Sequence, residues 1–272
     1  MNAPVAGPIV LVGAGNMGGA MLSGWLDNRE DGASIMVLDP SPSEAIRAKI
    51  SDAGASTFAT APEGLTAGIL FLAVKPQMMD TVLPPLKRLV GPQTVVVSVA
   101  AGKTLSYLSS HLGKTAMVRA MPNTPAMIGR GITGAYANDS VSDDQRVQVD
   151  ALLRVSGPVE WVSSEADIDA VTAVSGSGPA YVYYLVECMA EAGRKLGLPA
   201  DLAMRLARET VSGAGELMRQ SPDEAAKLRQ NVTSPGGTTA AALSVLMAQD
   251  GMQPLFDEAL AAARRRAEEL GA

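Results

Sequence analysis

The sequence predicts an α/β protein in which a domain with a parallel sheet is followed by an all-α domain. Up to about residue 163, short apolar runs alternate with helical patterns, and one run leads directly into a glycine-rich turn. Beyond that point strand-like runs cease, and alanine-rich helical periodicity continues to residue 272. We therefore expect one domain over residues 1–163 and a helical domain over residues 164–272.

The glycine-rich turn follows the first apolar run, Ile9–Val12, which indicates a buried parallel strand. Gly13, Gly15 and Gly18 have the spacing G-x-G-x-x-G, and a helix is expected from about Asn16 to Asn28. In this pattern the first glycine permits the turn, the second admits a pyrophosphate, and the third lets the helix pack closely. The free N–H groups of the helix start face the phosphates. The pattern predicts a Rossmann-type dinucleotide-binding domain; the alternative is a glycine-rich turn in another α/β protein.

The second apolar run, Ile35–Leu38, ends at Asp39, about 20 residues after the turn, which is the usual place for the acidic residue of such sites. A carboxylate here favours the ribose 2′-hydroxyl of NADH and repels a 2′-phosphate. Ser41, Ser43 and Arg47 follow closely and offer groups that hold that phosphate. These residues by themselves leave the choice of cofactor open.

Further elements complete the predicted sheet, and ligands of such sheets bind beyond the carboxyl ends of the strands. We expect Ser41 to cap a helix with Pro42 in its first turn. A later helix is expected to break at Pro84 and Pro85. The predicted strands are Thr57–Ala59, Ile69–Val74, Thr94–Val99 and Ala116–Met121, with Gly131–Asn138 and Pro158–Val162 as edge strands, and the predicted helices are Gln77–Leu89 and Ser142–Val155.

Composition and charge limit the classes of function. The chain has 272 residues, a net charge of −6 and 47% hydrophobic residues, which disfavours nucleic-acid partners and allows a large core. Cys188 is the only cysteine, so no intrachain disulfide forms, and we expect its thiol in the core. His111, the only histidine, stands in what resembles a surface loop, so neither a metal site nor a Ser-His-Asp triad is expected. No signal-peptide pattern or run of transmembrane length occurs, which predicts a cytoplasmic protein.

The helical domain is rich in small residues and poor in aromatic ones, a composition that favours close packing against a second subunit. We therefore expect a homodimer formed through these helices. The predicted helices are Asp167–Val174, Pro179–Leu196, Ala200–Gln220, Asp223–Gln230, Thr239–Gln249 and Met252–Leu270.

Three loops are richer in Pro, Gly, Ser and Thr than packing requires. Met121–Pro125 follows a strand and is suited to a nicotinamide pocket, or is a structural turn. Val174–Tyr181 precedes a helix, and its small residues would let a ligand or another backbone come close to the start of that helix. The alternative is an interdomain hinge. Ser234–Ala240 also opens a helix, and its N–H groups and two threonine hydroxyls suit a carboxylate without any arginine. A simple helix cap explains one threonine there but not the whole string.

At these loops the sequence resembles the pyrroline-5-carboxylate reductase family, over nearly the whole chain. The resemblance implies reduction of the cyclic imine 1-pyrroline-5-carboxylate to L-proline by NAD(P)H, the last step of proline biosynthesis. It also implies a Rossmann domain, a helical dimerisation domain and frequently larger rings of dimers. The motifs that carry it are Gly13–Gly18, Ala73–Pro76, Arg119–Pro125, Ser175–Tyr181 and Ser234–Thr239.

The resemblance also implies roles for residues. The substrate carboxylate is expected on the backbone of Gly236, Gly237, Thr238 and Thr239, and the Thr239 hydroxyl at the ring nitrogen makes it the catalytic residue. Ser177 and Ser234 complete the substrate set. Serine-containing turns in the family accept NADPH, so we expect NADPH to be preferred and NADH to be usable. The expected cofactor-binding residues are Gly13, Gly15, Asn16, Met17, Gly18, Asp39, Ser41, Ala73, Val74, Lys75, Pro76, Ala100, Met121, Pro122 and Asn123.

Two other functions are weighed against this one. A β-hydroxyacid dehydrogenase shares the N-terminal fingerprint, but its Gly-x-Gly-x-x-x-Lys motif requires a lysine where this chain has Val182. A dinucleotide-binding sensor without chemistry is the second alternative, and the intact Ser234–Thr239 loop argues against it.

Overall fold

The computed structural model describes residues 7–27 and 34–271. The chain forms two compact units that meet between Gly176 and Ser177 in the sequence, and the residues from Ala263 onward belong to the first unit. The predicted boundary after residue 163 thus falls inside the first unit. The reason is that the segment before Gly176 packs on the sheet: a methyl group on Gly134 would lie 2.6 Å from a methyl carbon of Val171.

The first unit contains an eight-stranded sheet in the order β3-β2-β1-β4-β5-β6-β7-β8, which includes the 3-2-1-4-5-6 order of dinucleotide-binding folds. All pairs are parallel except β6 with β7, which are antiparallel. The strands are β1 (Ile9–Val12), β2 (Ile35–Leu38), β3 (Ser56–Phe58), β4 (Ile69–Leu72), β5 (Val95–Ser98), β6 (Ala116–Met121), β7 (Thr133–Ala137) and β8 (Val159–Trp161).

Of the two predicted edge strands at the end of the sheet, one is confirmed and one is wrong. β8 is the edge strand, but β7 lies between β6 and β8. The chain returns from β6 through residues 122–132, which contain only the short 3-10 turn Thr124–Ile128, and a connection of this length without a long helix favours an antiparallel pair. β7 accordingly pairs with β6 in the antiparallel direction.

Within the described part of the chain, five helices surround the sheet, and a sixth leads to the end of the first unit. They are α1 (Asn16–Asp27), α2 (Glu44–Asp52), α3 (Met79–Leu86), α4 (Leu105–Leu112), α5 (Asp143–Arg154) and α6 (Asp167–Val171). The residue after Asp27, the predicted helix end Asn28, lies outside the described residues.

Three predictions about these helices are wrong. Ser43 rather than Ser41 caps α2, because its hydroxyl accepts the Ile46 N–H. α3 continues through Pro84 and Pro85, which lie in its last turn and remove two helical hydrogen bonds, and it changes to a 3-10 helix only after Leu86. His111 belongs to α4 and not to a loop. Because serines and the histidine stand between its few apolar residues, this short helix has no clear helical periodicity of hydrophobic residues.

The strands are apolar throughout because both faces of the sheet are covered. Along β1, Ile9 and Leu11 pack on the side of α1 and α5. Val10 and Val12 pack on the side of α3 and α4. All four β1 side chains are buried. This double core holds the carboxyl ends of the strands in place, where the candidate site lies.

The second unit is entirely helical. Its helices are α7 (Gly178–Lys195), α8 (Ala200–Gln220), α9 (Ala225–Asn231), α10 (Thr238–Leu246) and the larger part of α11 (Met252–Gly271). α7 and α8 pack closely where Gly193 faces Ala203, since a methyl group on Gly193 would lie 3.3 Å from the Ala203 Cβ.

The apolar side chains of the second unit remain uncovered in the single chain. Its buried apolar residues are the alanines Ala190, Ala203 and Ala207. Large side chains such as Tyr184 and Leu217 are 66% and 60% exposed. Cys188 is exposed as well, so the prediction of a core thiol is wrong for the isolated chain. The helical periodicity indicated a buried face, but nothing within this unit covers it.

Among the residues that the structure describes, no helix combines the length and the apolar character needed to cross a membrane.

Candidate active site

A cavity of about 840 Å³ lies in the first unit at the carboxyl ends of β1, β2 and β4. In an open sheet of this order, that is the crevice where ligands bind. The cavity is mostly apolar, with α3 forming one wall. Its lining includes Gly13, Gly15, Asp39, Ser41, Thr60, Ala61, Ala73, Val74, Lys75, Met78, Val82 and Arg88.

The glycine-rich turn has the geometry that a pyrophosphate requires. Gly13 has a φ of +87°, so a residue with a side chain would be strained there. A methyl group on Gly18 would lie 2.0 Å from the Gly13 carbonyl oxygen, so this glycine lets α1 pack on the turn. A methyl group on Gly15 would meet open space, which is the place that a phosphate group needs. The turn therefore fits a dinucleotide, with the N-terminus of α1 facing it.

Asp39 uses its carboxylate on the backbone around this turn. One oxygen accepts the Ala14 N–H at 2.8 Å, and the other accepts the Ser41 N–H at 2.8 Å. Each carboxylate oxygen thus accepts one backbone N–H in the structure. This geometry ties the glycine-rich turn to the end of β2, a role that the sequence analysis did not assign to Asp39.

Two cations line the same cavity. Lys75 follows β4 and precedes a 3-10 turn that begins at Pro76. Arg88 lies in the 3-10 helix after α3 and donates to the Ala61 carbonyl. Arg88 was not predicted as a site residue, since nothing in its local pattern distinguishes it from a solvated surface arginine.

The other predicted cofactor residues of the first unit lie outside this cavity lining. Asn123 accepts the Ile132 N–H at 3.0 Å through its side-chain oxygen, so it stabilises its own turn. Met121, at the end of β6, lies against Gly176. Ala100 is buried at the end of β5, and its N–H contacts the Ser98 hydroxyl at 3.3 Å. Asn16, Met17, Gly18, Pro76 and Pro122 are likewise absent from this lining, although Asn16 lines a neighbouring cavity together with Gly15, Asp39 and Ser41.

The predicted substrate loop belongs to the second unit. Gly236 has a φ of +69°, and the Gly237 N–H bonds to the Ser234 carbonyl at 3.1 Å, which closes a tight turn. Gly237 then caps α10, without a hydrogen bond from any side chain. Thr238 and Thr239 form the first turn of this helix, whose N–H groups have no acceptor within the helix. The loop can therefore hold a carboxylate through its backbone.

Ser177, the remaining predicted substrate residue, precedes α7, and its carbonyl accepts the Ala180 N–H at 3.0 Å. Within residues 7–27 and 34–271, no group of three or more His, Cys, Asp or Glu side chains is placed to hold a metal ion.

Comparison with known proteins decides the family. A pyrroline-5-carboxylate reductase from Pseudomonas aeruginosa is 42% identical over 265 residues, which cover 96% of both sequences. This chain belongs to the pyrroline-5-carboxylate reductase family. The family model "Pyrroline-5-carboxylate reductase dimerisation" matches residues 165–270, and the model "NADP oxidoreductase coenzyme F420-dependent" matches residues 8–102. The first of these models begins close to the predicted domain boundary.

Solved structures of pyrroline-5-carboxylate reductases share the fold. The protein from Coxiella burnetii has a TM-score of 0.90 and 38% identity, covering 98% of this chain and 99% of that one. The Plasmodium falciparum pyrroline carboxylate reductase, solved with NADP bound, has a TM-score of 0.80 and 26% identity, covering 99% and 100%. The predicted class, a Rossmann-type domain followed by a helical dimerisation domain, is confirmed.

Arg119, within one of the motifs that carry the family resemblance, forms ion pairs that the sequence analysis did not predict. Its guanidinium is buried in β6 and pairs with Asp169 at 2.9 Å and with Glu165 at 3.4 Å. The partners stand more than 40 residues away in the sequence, so no local spacing reveals the pairing.

Proposed function

We propose that this chain catalyses the reduction of 1-pyrroline-5-carboxylate to L-proline with NAD(P)H, the last step of proline biosynthesis. The observation that carries the proposal is the match to pyrroline-5-carboxylate reductases along 96% of the chain, which includes both the glycine-rich turn and the Ser234–Thr239 loop. The chain supplies no histidine acid–base pair, and a protonated imine, already electrophilic, needs none.

NADP is the proposed cofactor, in agreement with the NADP oxidoreductase family model and the relative that binds NADP. When bound, the reduced cofactor supplies the hydride. The open space above Gly15 and the N-terminus of α1 are suited to the pyrophosphate. The Asp39 oxygens each accept a backbone N–H, and Ser41, Ser43 and Arg47 follow closely with groups that can hold a 2′-phosphate, which supports NADPH as the preferred cofactor with NADH usable.

The substrate carboxylate is proposed to bind the backbone N–H groups at the start of α10. Gly236 and Gly237 carry no side chains, no side chain forms a hydrogen bond at the cap of α10, and the helix dipole favours an anion there. The Thr239 hydroxyl is proposed to contact the ring nitrogen, which fixes the imine carbon toward the hydride donor. The rate then comes from orientation of the two rings rather than from a strong general acid.

The active form is proposed to be a homodimer that forms through the helices of the second unit. Several such dimers are proposed to form a larger ring. The protein is proposed to act in the cytoplasm. The uncovered apolar side chains of this unit support the dimer. The name of the matching family model, which refers to dimerisation, supports it as well.

The test is oxidation of NADPH by the purified chain with 1-pyrroline-5-carboxylate, with L-proline identified as the product. We expect turnover that depends on both compounds. Oxidation of small β-hydroxy acids with NADP, without any reduction of the imine, would instead support the dehydrogenase alternative. Cofactor binding without turnover of either substrate would support a sensor.

A further inference from the structure

Arg119 is a buried cation that the proposed chemistry does not use. Its side chain is 4% exposed, and its two terminal nitrogens contact different carboxylates, those of Glu165 and Asp169. A guanidinium removed from water needs such partners, and its planar fork reaches two acceptors at once. The arginine thus joins β6 to the segment that contains α6.

Glu165 extends this connection to a second element. The same oxygen that faces Arg119 also accepts the Leu105 N–H at 2.8 Å, at the first residue of α4. The carboxylate therefore satisfies a free donor at a helix start while it neutralises the arginine. One ion network thereby connects β6, α4 and the segment from residue 165.

The segment that follows this ion network packs closely on the end of β6, up to the last residues before the second unit. After α6 the chain forms a π-helical turn, Thr172–Gly176, a type of turn that is frequent at functional sites. A methyl group on Gly176 would lie 2.6 Å from the Met121 Cε, so the backbone there rests directly on this methionine. Met121 opens the proposed cofactor loop, and Gly176 directly precedes Ser177.

We propose that Arg119 is a positioning residue for the reduction. It holds residues 165–176 against the end of β6, which fixes the chain at Gly176 against Met121. The loop after Met121 and the backbone that leads into Ser177 thereby keep one geometry during hydride transfer. This inference rests on the proposed function, because it assigns Met121 to the cofactor site and Ser177 to the substrate site.

The test compares Arg119→Lys and Asp169→Asn with the wild-type enzyme in single turnovers. Enzyme with bound NADPH is mixed with saturating 1-pyrroline-5-carboxylate, and NADPH deuterated at the transferred position identifies the hydride step. We expect the rate constant to fall about 10- to 100-fold in Arg119→Lys, since small misplacements are costly, with full amplitude and unchanged NADPH affinity. Asp169→Asn, which keeps the arginine, should show a smaller decrease of the same kind.

Arg154→Lys is the matched control, because this arginine pairs with Asp150 on the surface of α5. It should leave rate constant and amplitude unchanged. A merely structural role of Arg119 would lower the amplitude, which counts active molecules, and leave the rate constant unmoved; that result overturns the inference. If Arg119→Lys does not fold, an unchanged rate constant in Asp169→Asn overturns it too. A folded wild-type enzyme that does not reduce the imine refutes the proposed function itself.

Discussion

Asp39 uses its carboxylate to hold together the backbone around the glycine-rich turn. Its two oxygens accept the N–H groups of Ala14 and Ser41, so the residue joins the glycine-rich turn to the strand beside it. The negative charge also lies at the cavity, where Lys75 and Arg88 provide the opposite charge. The proposed cofactor would therefore bind beside a turn that is already organised by hydrogen bonds.

Replacing Asp39 by Asn therefore tests a positioning role against a selective one. We expect NADPH and NADH to bind about 10- to 100-fold more weakly, because the turn loses acceptors for charge-assisted hydrogen bonds. Fluorescence titration with each cofactor measures this. Asp52→Asn, at the exposed end of α2, is the control and should bind both normally. Tighter NADPH binding together with weaker NADH binding would show that Asp39 selects the ribose.

Thr239 is the residue on which the proposed chemistry depends most. Thr239→Val keeps the shape of the side chain but removes its hydroxyl, so kcat/KM should fall about 10- to 1000-fold, the usual range for one positioned polar contact. NADPH affinity should hardly change, since the glycine-rich turn belongs to the other unit. Steady-state kinetics and cofactor titration measure the two effects.

Thr239→Ser is the matched control for this substitution, because it restores the hydroxyl at the same position of α10. We expect most of the activity to return. Full activity in Thr239→Val would mean that the threonine only begins the helix.

At the scale of elements, α3 and α4 are joined by a small polar cluster that includes the only histidine. The Tyr107 hydroxyl of α4 donates to Asp80 of α3 at 2.5 Å, and His111 Nε2 lies 3.6 Å from the same carboxylate. Burial, reinforced by the hydrogen bond to Asp80 and its charge, raises the pKa of Tyr107 to about 12. Lys103 lies over the Tyr107 ring, 4.0 Å from its centre.

This cluster predicts an alkaline loss of stability. When unfolded, Tyr107 ionises near its ordinary pKa of 10, whereas in the folded chain it stays protonated to about 12. The unfolded state thus releases a proton first, and the free energy of unfolding falls as the pH rises through this range. Urea unfolding of wild type and Tyr107→Phe at several pH values measures the effect. The difference between the two proteins should be constant below pH 9 and shrink from about pH 10 to about pH 12. A constant difference throughout would contradict the assignment.

At the scale of the whole molecule, the second unit has many apolar side chains that a single chain leaves exposed. Its buried apolar residues are alanines, while tyrosine, leucine and valine side chains on α7, α8 and α10 face outward. Exposed apolar surface of this kind marks an interface, and burying it against a second copy is the simplest closed solution.

The chain is therefore expected to be an obligate dimer or a larger assembly of dimers. Light scattering at the concentration of the activity assay should give at least twice the mass of one chain. The unfolding temperature should rise with protein concentration, because dissociation accompanies unfolding. An active monomer at assay concentration would contradict this prediction.

Features that depend on neighbouring residues were determined by the sequence itself. Apolar runs bounded by turn residues located the strands, with β6 at its observed limits, and helical periodicity located α8 at its observed limits as well. The glycine spacing placed the dinucleotide turn, because backbone angles and close approach are local requirements. Together with the later loops, it indicated the family and the order of the two domains.

Features that depend on distant residues were decided by the tertiary structure alone. Asp39 is bound by a backbone N–H from the preceding strand–helix turn, and Arg119 is paired with carboxylates more than 40 residues away. The antiparallel β7 and the exposure of Cys188 likewise depend on which elements meet. A residue type and its spacing specify local conformation, but hydrogen bonds and burial are properties of pairs that only the folded chain brings together.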